Sequence, residues 1–128
     1  MRFLLDTHTL LWLAFEQQLL SPHTRQVVAS PQNEILVSAA TAWEVTTKYR
    51  IGKLDFARAL AVNFIPRVTG AGYQLLPITT EHALRAGLFP GDHKDPFDRM
   101  IAAQAVHEDL PLLSQDTHFD GFGVRREW

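Results

Sequence analysis

The chain has 128 residues, of which 46% are hydrophobic and 20% charged, so its size suits one domain with its own core. Twelve basic and fourteen acidic residues give a net charge of −2, which excludes a generally basic nucleic-acid binder. Because the chain has no cysteine, disulfides, thiolate catalysis and cysteine-ligated zinc are excluded as well.

The first half of the chain predicts, in order, a strand, two helices, a strand and two more helices. These elements cover Phe3–Leu5, Thr7–Phe15, Ser21 through Ala29, Ile35–Val37, Ser38 to about Ile51, and Asp55 to about Val68. The strands are short apolar runs, and the helices have apolar residues at helical spacing. Ser21 and Ser38 are predicted helix caps, Gly52 ends one helix, and a break is expected near Pro66.

The second half predicts a strand, two helices and two strands. They cover Tyr73–Leu76, Thr79 or Thr80 through Leu88, an alanine-rich helix opened by Asp95-Pro96 and including Met100–Val106, Leu110–Leu113, and an edge strand in Val124–Trp128. Alternating strands and helices predict one α/β domain over residues 1–128, with a central, mainly parallel sheet of four to five strands flanked by helices. No apolar run reaches the roughly 18 residues of a membrane span, so a cytoplasmic protein without membrane contact is expected.

Four acidic residues fall near the predicted carboxyl edge of this sheet. Asp6 follows the first strand and Asp116 follows the fourth, while Asp98 lies in the first turn of the alanine-rich helix. Glu44 lies about two turns into the helix after the second strand. Ligands of such folds bind outside the carboxyl ends of the strands, so we expect these carboxylates to converge there.

Converging carboxylates point to a metal-dependent reaction. Several carboxylates cannot all stay ionised at close range without a counterion, and magnesium prefers oxygen ligands. Phosphodiester cleavage gains much from such an ion, which activates a water and stabilises the departing oxygen. The sequence leaves open whether one ion or two act.

Each acid also has a purely structural interpretation. Asp6 and Asp116 can serve as a helix cap and a turn residue, and Glu44 can pair with Lys48 one turn later. Asp95 fits the cap of the alanine-rich helix, with proline at its first position. Taken singly, each acid is as well explained by these roles as by catalysis, but the joint pattern favours a site.

Four segments carry a resemblance to a known family. Leu4-Leu5-Asp6-Thr7-His8, Ala42-Trp43-Glu44-Val45 and the run from His93 to Ala105 resemble PIN-domain toxins of the VapC type. Leu112-Leu113-Ser114-Gln115-Asp116, followed by Phe119, resembles their last motif. The resemblance covers Arg2 to Trp128, and Asp95-Pro96-Phe97-Asp98-Arg99 is its most specific part. One departure is Thr46-Thr47, where a more apolar pair is expected.

The resemblance implies a PIN-like fold and an endoribonuclease that depends on magnesium or manganese. Asp6, Glu44, Asp98 and Asp116 match the acidic quartet, and Asp6 and Asp98 match the direct metal ligands. The resemblance further implies the toxin half of a type II toxin–antitoxin pair, a homodimer, and a cognate antitoxin that lies across the acidic groove. Since this chain shows no separate DNA-binding domain, DNA binding is expected to belong to the antitoxin.

Lesser roles are assigned to several neighbours of the acids. Thr7, Lys94 and Arg99 are candidate RNA contacts, although Arg99 can equally pair with an acid such as Asp95. Trp12 and Trp43 are interpreted as core or dimer residues rather than platforms for bases. Four histidines are interpreted as surface residues: His23, His82, His107 and His118.

Two other functions fit a chain of this kind. A catalytically degenerate PIN-like protein-binding module would share the fold, but intact acids at all four positions argue against it. A receiver-type phosphoacceptor domain would need two adjacent acids after the first strand and a lysine near the last strand. Here a single acid, Asp6, follows the first strand, and the segment Ser114-Gln115-Asp116 after the fourth strand contains no lysine.

Overall fold

One five-stranded sheet organises the computed structural model, which describes residues 1–128, and every pair of neighbouring strands is parallel. The strands are β1 (Arg2–Leu5), β2 (Glu34–Ser38), β3 (Gln74–Leu76), β4 (Leu112–Leu113) and β5 (Arg126–Glu127). Their order across the sheet is β3-β2-β1-β4-β5, so the first strand of the chain lies in the middle. This confirms the predicted α/β class, with five strands.

Helices connect the strands. The α-helices are α1 (Thr7–Phe15), α2 (Pro22–Ala29), α3 (Ala39–Arg50), α4 (Arg58–Val62), α5 (Phe64–Gly70), α6 (Thr80–Leu88) and α7 (Pro96–His107). Short 3₁₀ helices cover Gln17–Leu19, Asp55–Ala57 and Thr117–Phe122. None of the helices combines the length and the apolar character that crossing a membrane requires.

The predicted caps define most helix starts. The hydroxyls of Ser21 and Ser38 accept backbone N–H bonds at the starts of α2 and α3, and Thr79 does the same for α6. Asp95 caps α7, with Pro96 at the first helical position. Each cap satisfies an N–H group that has no acceptor within its helix.

Two apolar cores lie on the two faces of the sheet because successive strand residues point to opposite sides. Phe3 and Leu5 of β1 belong to the cluster that includes residues of α1, α4 and α5. Leu4 belongs to the other cluster, which includes Ile101 and Ala102 of α7. The sheet is therefore covered on both sides, as parallel sheets require.

The segment predicted as one helix from Asp55 to about Val68 is a 3₁₀ turn followed by α4 and α5. The break lies at Asn63, whose φ of −134° is outside the helical range, and not near Pro66. Pro66 is the third residue of α5. It fits there because N–H groups of the first turn have no helical acceptor to lose.

Candidate active site

The acidic site lies at the carboxyl ends of β1 and β4, the two strands on either side of the point where the strand order reverses. Asp6 directly follows β1, and its backbone N–H continues the ladder by donating to Leu113 O at 3.2 Å. Asp116 begins the 3₁₀ helix after β4. This reversal point is where doubly wound sheets open a crevice for ligands.

Asp6 is only 5% exposed and uses both carboxylate oxygens. Oδ1 accepts the backbone N–H of His8 at 2.7 Å, so Asp6 does cap α1, as the structural interpretation predicted. Oδ2 accepts the hydroxyl of Ser114. The cap therefore fixes the orientation of the carboxylate and does not compete with a role in the site.

Ser114 is a site residue that the sequence reasoning missed, although it lies within the last quoted motif. It is fully buried, donates to Asp6, and accepts the backbone N–H of Asp116 at 3.0 Å. The hydroxyl thus joins the carboxylate of Asp6, the first of the four acids, to the backbone of Asp116, the last of the four. The available signal was a hydroxyl residue two positions before an acid at a strand end, a typical turn-forming pattern.

Glu44 is buried, with 2% of its surface exposed. It does pair with Lys48 one turn later on α3, through Oε2. Its second oxygen, Oε1, is buried and has no hydrogen-bond partner. A buried oxygen without a partner is costly, and a cation is a means of compensating it.

Asp98 lies in the first turn of α7, but it does not cap the helix. Asp95 does so, accepting the N–H of Phe97 at 2.9 Å and of Asp98 at 3.3 Å. The carboxylate of Asp98 is therefore free of the backbone, and its Oδ2 lies 3.6 Å from His93 Nε2. The assignment of Asp95 to capping agrees with these bonds.

Asp116 combines a backbone bond with a histidine contact. Its Oδ1 accepts the N–H of His118 at 2.9 Å, and the His118 ring nitrogen Nδ1 lies 2.9 Å from the same oxygen. The His118 and His93 rings approach each other edge to face, with centroids 6.0 Å apart. Two of the four acids thus each have an imidazole beside them.

The four acids lie close enough together for the negative charges of the other three to raise the pKa of Asp98. Burial raises the pKa of Asp98 to about 7, assisted by the negative charges of Asp95, Glu44, Asp6 and Asp116. Burial also raises the pKa of Asp6, against the opposing bonds from Ser114 and His8, and Glu44 adds to the rise. Such shifts are expected where carboxylates are held together without sufficient counter-charge.

Lys48 partly supplies that counter-charge. Partial burial lowers the pKa of its ammonium, but the hydrogen bond to Glu44 and the charges of Glu44, Asp95 and Asp98 more than reverse this, so its pKa is raised. Lys48 therefore stays protonated within the acidic cluster.

The residues present fit a hard divalent cation. The four acids offer only oxygen atoms as metal ligands, and Oε1 of Glu44 is buried without a hydrogen-bond partner. No three of the four carboxylates bring ligand oxygens within 4.8 Å of one another. This arrangement suits magnesium, which usually binds one or two carboxylates and keeps several waters.

The three candidate RNA contacts have different surroundings. Thr7 is buried and shares a 3.1 Å hydrogen bond with Thr41, and Lys94 is exposed. Arg99 donates to backbone carbonyls of Ala86, His93, Gly87 and Phe89. It forms no ion pair with Asp95, and these bonds give its guanidinium a structural role.

Trp43 is 58% exposed, so its interpretation as a core residue is wrong. Its ring packs edge to face on Phe97, with centroids 4.7 Å apart. Trp43 precedes Glu44, and Phe97 precedes Asp98. An aromatic pair made of the exposed Trp43 and the half-buried Phe97 therefore borders the acidic site.

His82 is fully buried, so its interpretation as a surface residue is wrong. His82, His107 and Glu108 have potential metal ligands within 4.8 Å of one another. However, His82 Nδ1 accepts the N–H of Thr79 at 3.0 Å, which places the ring proton on Nε2, where Glu108 Oε1 accepts at 2.8 Å. Because the proton occupies the nitrogen that would face a metal, this group is a structural hydrogen-bond chain.

A comparison with known proteins finds a relative that is similar in sequence to part of this chain. A relative from Mycobacterium tuberculosis named Ribonuclease VapC16 is 38% identical over 60 residues, which cover 47% of this chain and 41% of that relative. The match thus spans less than half of either protein.

Solved structures resemble the whole chain. The structure of VapBC2 from Rickettsia felis bound to a DNA fragment from their promoter has a TM-score of 0.72 at 14% identity, covering 99% of this chain and 98% of that one. DNA-bound VapBC from Salmonella typhimurium has a TM-score of 0.71 at 22% identity, covering 99% and 97%. At these identities the likeness establishes the fold. The family model described as PIN domain matches residues 3–124, and the chain therefore belongs to the PIN domain family.

Proposed function

We propose that this chain, acting as one PIN domain, is a magnesium-dependent endoribonuclease and the toxin component of a type II toxin–antitoxin pair. The observation that supports this most directly is the buried, unpartnered Oε1 of Glu44 in a neighbourhood of carboxylates. An acidic site that binds a cation is expected, without that cation, to contain carboxylates with raised pKa values and a buried oxygen with no partner. Asp6 and Asp98 have such raised pKa values, and Glu44 has such an oxygen.

Asp6 and Asp98 would hold the magnesium, or manganese, with Glu44 and Asp116 around it. When bound, the cation supplies activation of water and stabilisation of the charge that develops during phosphodiester cleavage. Ser114 and the N–H of His8 hold the carboxylate of Asp6 in one orientation. Because the carboxylate of Asp95 accepts the two backbone N–H groups at the start of α7, the carboxylate of Asp98 is available to a cation.

RNA as the substrate is supported by the name of the relative from Mycobacterium tuberculosis, and the antitoxin partner by the VapBC titles of the similar structures. An acidic pocket attracts a guanidinium group, so an antitoxin with an arginine near its chain end fits this site. A homodimer and a cytoplasmic location stay predictions. Light scattering of the purified chain, alone and with its antitoxin, measures the oligomeric state.

Cleavage assays test the proposed activity. Purified protein incubated with single-stranded RNA should cleave it internally in magnesium and lose that activity in chelator. Asp98→Asn should lower the cleavage rate by on the order of 10²-fold or more, because a ligand of the charge-stabilising cation is lost. Asp109→Asn is the matched control: Asp109 is exposed, and its φ of 54° suits asparagine.

The same assay identifies the alternative. If RNA survives equally with magnesium and with chelator, the chain is a binding module with a degenerate site. If Asp98→Asn cleaves as fast as Asp109→Asn, the assignment of Asp98 is wrong.

A further inference from the structure

Glu44 and Lys48 form an ion pair inside the acidic site. Both lie on α3, four residues apart, so the backbone of the helix sets their separation. The side chain of Glu44 is 3% exposed and that of Lys48 is 30% exposed. The pair is therefore a partly buried contact, distinct from a solvent-exposed helix pair.

The two oxygens of Glu44 are used unequally. Lys48 Nζ donates to Oε2, and Oε1 has no partner. A second divalent ion bound by Glu44 would therefore meet an ammonium group that the helix keeps at the same carboxylate. Two positive charges at one carboxylate repel each other, and the repulsion is strong where water is largely excluded.

Lys48 also acts on more than one acid. The charges of Glu44, Asp95 and Asp98 all act on its ammonium. Sites with two metals place the ions roughly 3.5–4 Å apart within a shared set of carboxylates. Here Lys48 already holds one oxygen of Glu44, a carboxylate that a second ion would have to use.

We propose that the Lys48 ammonium takes the place of a second divalent cation, so that the site binds a single magnesium or manganese ion. This inference rests on the proposed metal-dependent function and settles the number of ions that the sequence leaves open. Lys48 acts through Glu44 and the local field, so we regard it as a charge-compensating residue.

Manganese binding without RNA tests this inference. Metal-free full-length protein is titrated with Mn²⁺, and the free ion is measured by electron paramagnetic resonance. We expect one Mn²⁺ per wild-type chain and two per chain in Lys48→Met, because removing the ammonium leaves Glu44 with two unpaired oxygens. Lys48→Arg keeps the positive charge and should bind one ion. Lys53→Met, which removes an exposed charge three residues after the end of α3, should also bind one.

Thermal unfolding provides a second readout. Mn²⁺ stabilises the folded state by binding to it, so it should raise the Tm of Lys48→Met more than that of the wild type. If Lys48→Met does not fold, Lys48→Gln, which can still hydrogen-bond to Glu44, replaces it in both measurements.

The outcomes separate this inference from the proposed function. Two ions on the wild-type chain, or one ion on Lys48→Met with unchanged affinity, would overturn the role of Lys48 while leaving a metal-dependent nuclease intact. A wild-type chain that binds no Mn²⁺ would contradict the proposed function itself.

Discussion

Asp6 and Asp98 both stand at helix starts, yet the structure uses them differently. Asp6 caps α1 with one oxygen and accepts Ser114 with the other. In α7 the helix is capped by Asp95. Asp98 follows three residues later, and its carboxylate accepts no backbone N–H group. The short motif Asp-Pro-Phe-Asp thus divides two roles, the helix cap and the proposed cation ligand, between two aspartates.

The raised pKa of Asp98 predicts how stability changes with pH in chelator. Its pKa is about 7 in the folded chain against an ordinary value of 3.8, so the folded state binds more protons between these values. The free energy of unfolding should therefore fall as the pH rises from about 4 to 7. Asp98→Asn removes this penalty, so its stability relative to the wild type should increase over the same window.

Urea unfolding of both proteins at several pH values measures that difference. Asp6 also has a raised pKa, and because its charge acts on Asp98, the difference between the two proteins reports Asp98 together with its coupling to Asp6. A difference that is constant from pH 4 to 8 would mean that the Asp98 carboxylate does not experience the proposed repulsion.

At the scale of elements, Arg99 links two helices. From α7 its Nε donates to Ala86 O at 2.9 Å, and its Nη atoms donate to Gly87, Phe89 and His93 carbonyls. These acceptors lie at the end of α6 and in the segment that leads to α7. A planar group with five donors can bond to all four carbonyls at once, whereas an ammonium has only three donors on a single atom.

Arg99→Lys should therefore destabilise the fold without weakening RNA binding. Loss of these charged hydrogen bonds should lower the free energy of unfolding by about 1.5–3 kcal/mol, measured by urea unfolding. Arg85→Lys, on the exposed side of α6, is the control and should change it little. If Arg99→Lys instead keeps its stability and raises the KM for RNA, Arg99 contacts phosphate as the sequence first indicated.

Local signals predicted most of the elements, and tertiary contacts explain the failures. Caps at Ser21, Ser38 and Asp95 act through neighbouring N–H groups, so the sequence shows them directly. The burial of Glu44 depends on the elements packed around α3, which no local pattern reveals. The expectation that the acids lie together rested on the carboxyl ends of parallel strands sharing one edge of the sheet, whereas the link through Ser114 needed the spatial neighbourhood of β1 and β4.

For the whole molecule, the net charge of −2 limits how RNA is held. Lys48 is engaged with Glu44, and Arg99 is engaged with backbone carbonyls. Among the cations considered for the site, Lys94 is the one left exposed. RNA binding should therefore rely on few phosphate contacts.

The salt dependence of binding measures that number. For single strands the slope of log affinity against log salt is about −0.7 per phosphate contact, so we expect a slope shallower than about −2. Asp98→Asn, which should bind without cleaving, is the protein to use, with fluorescence anisotropy as the readout. A slope steeper than about −4 would mean that the protein makes many phosphate contacts, which contradicts this prediction.

The central position of β1 has a consequence for synthesis. One of the two partners of β1, the strand β4, is synthesised more than a hundred residues after it. Asp6 receives its Ser114 bond only when that late segment arrives, and Asp116 follows it. A partly translated chain that lacks the segment through Asp116 therefore lacks the assembled acidic cluster, so the proposed nuclease activity should not arise near the ribosome until that segment has been made and has folded.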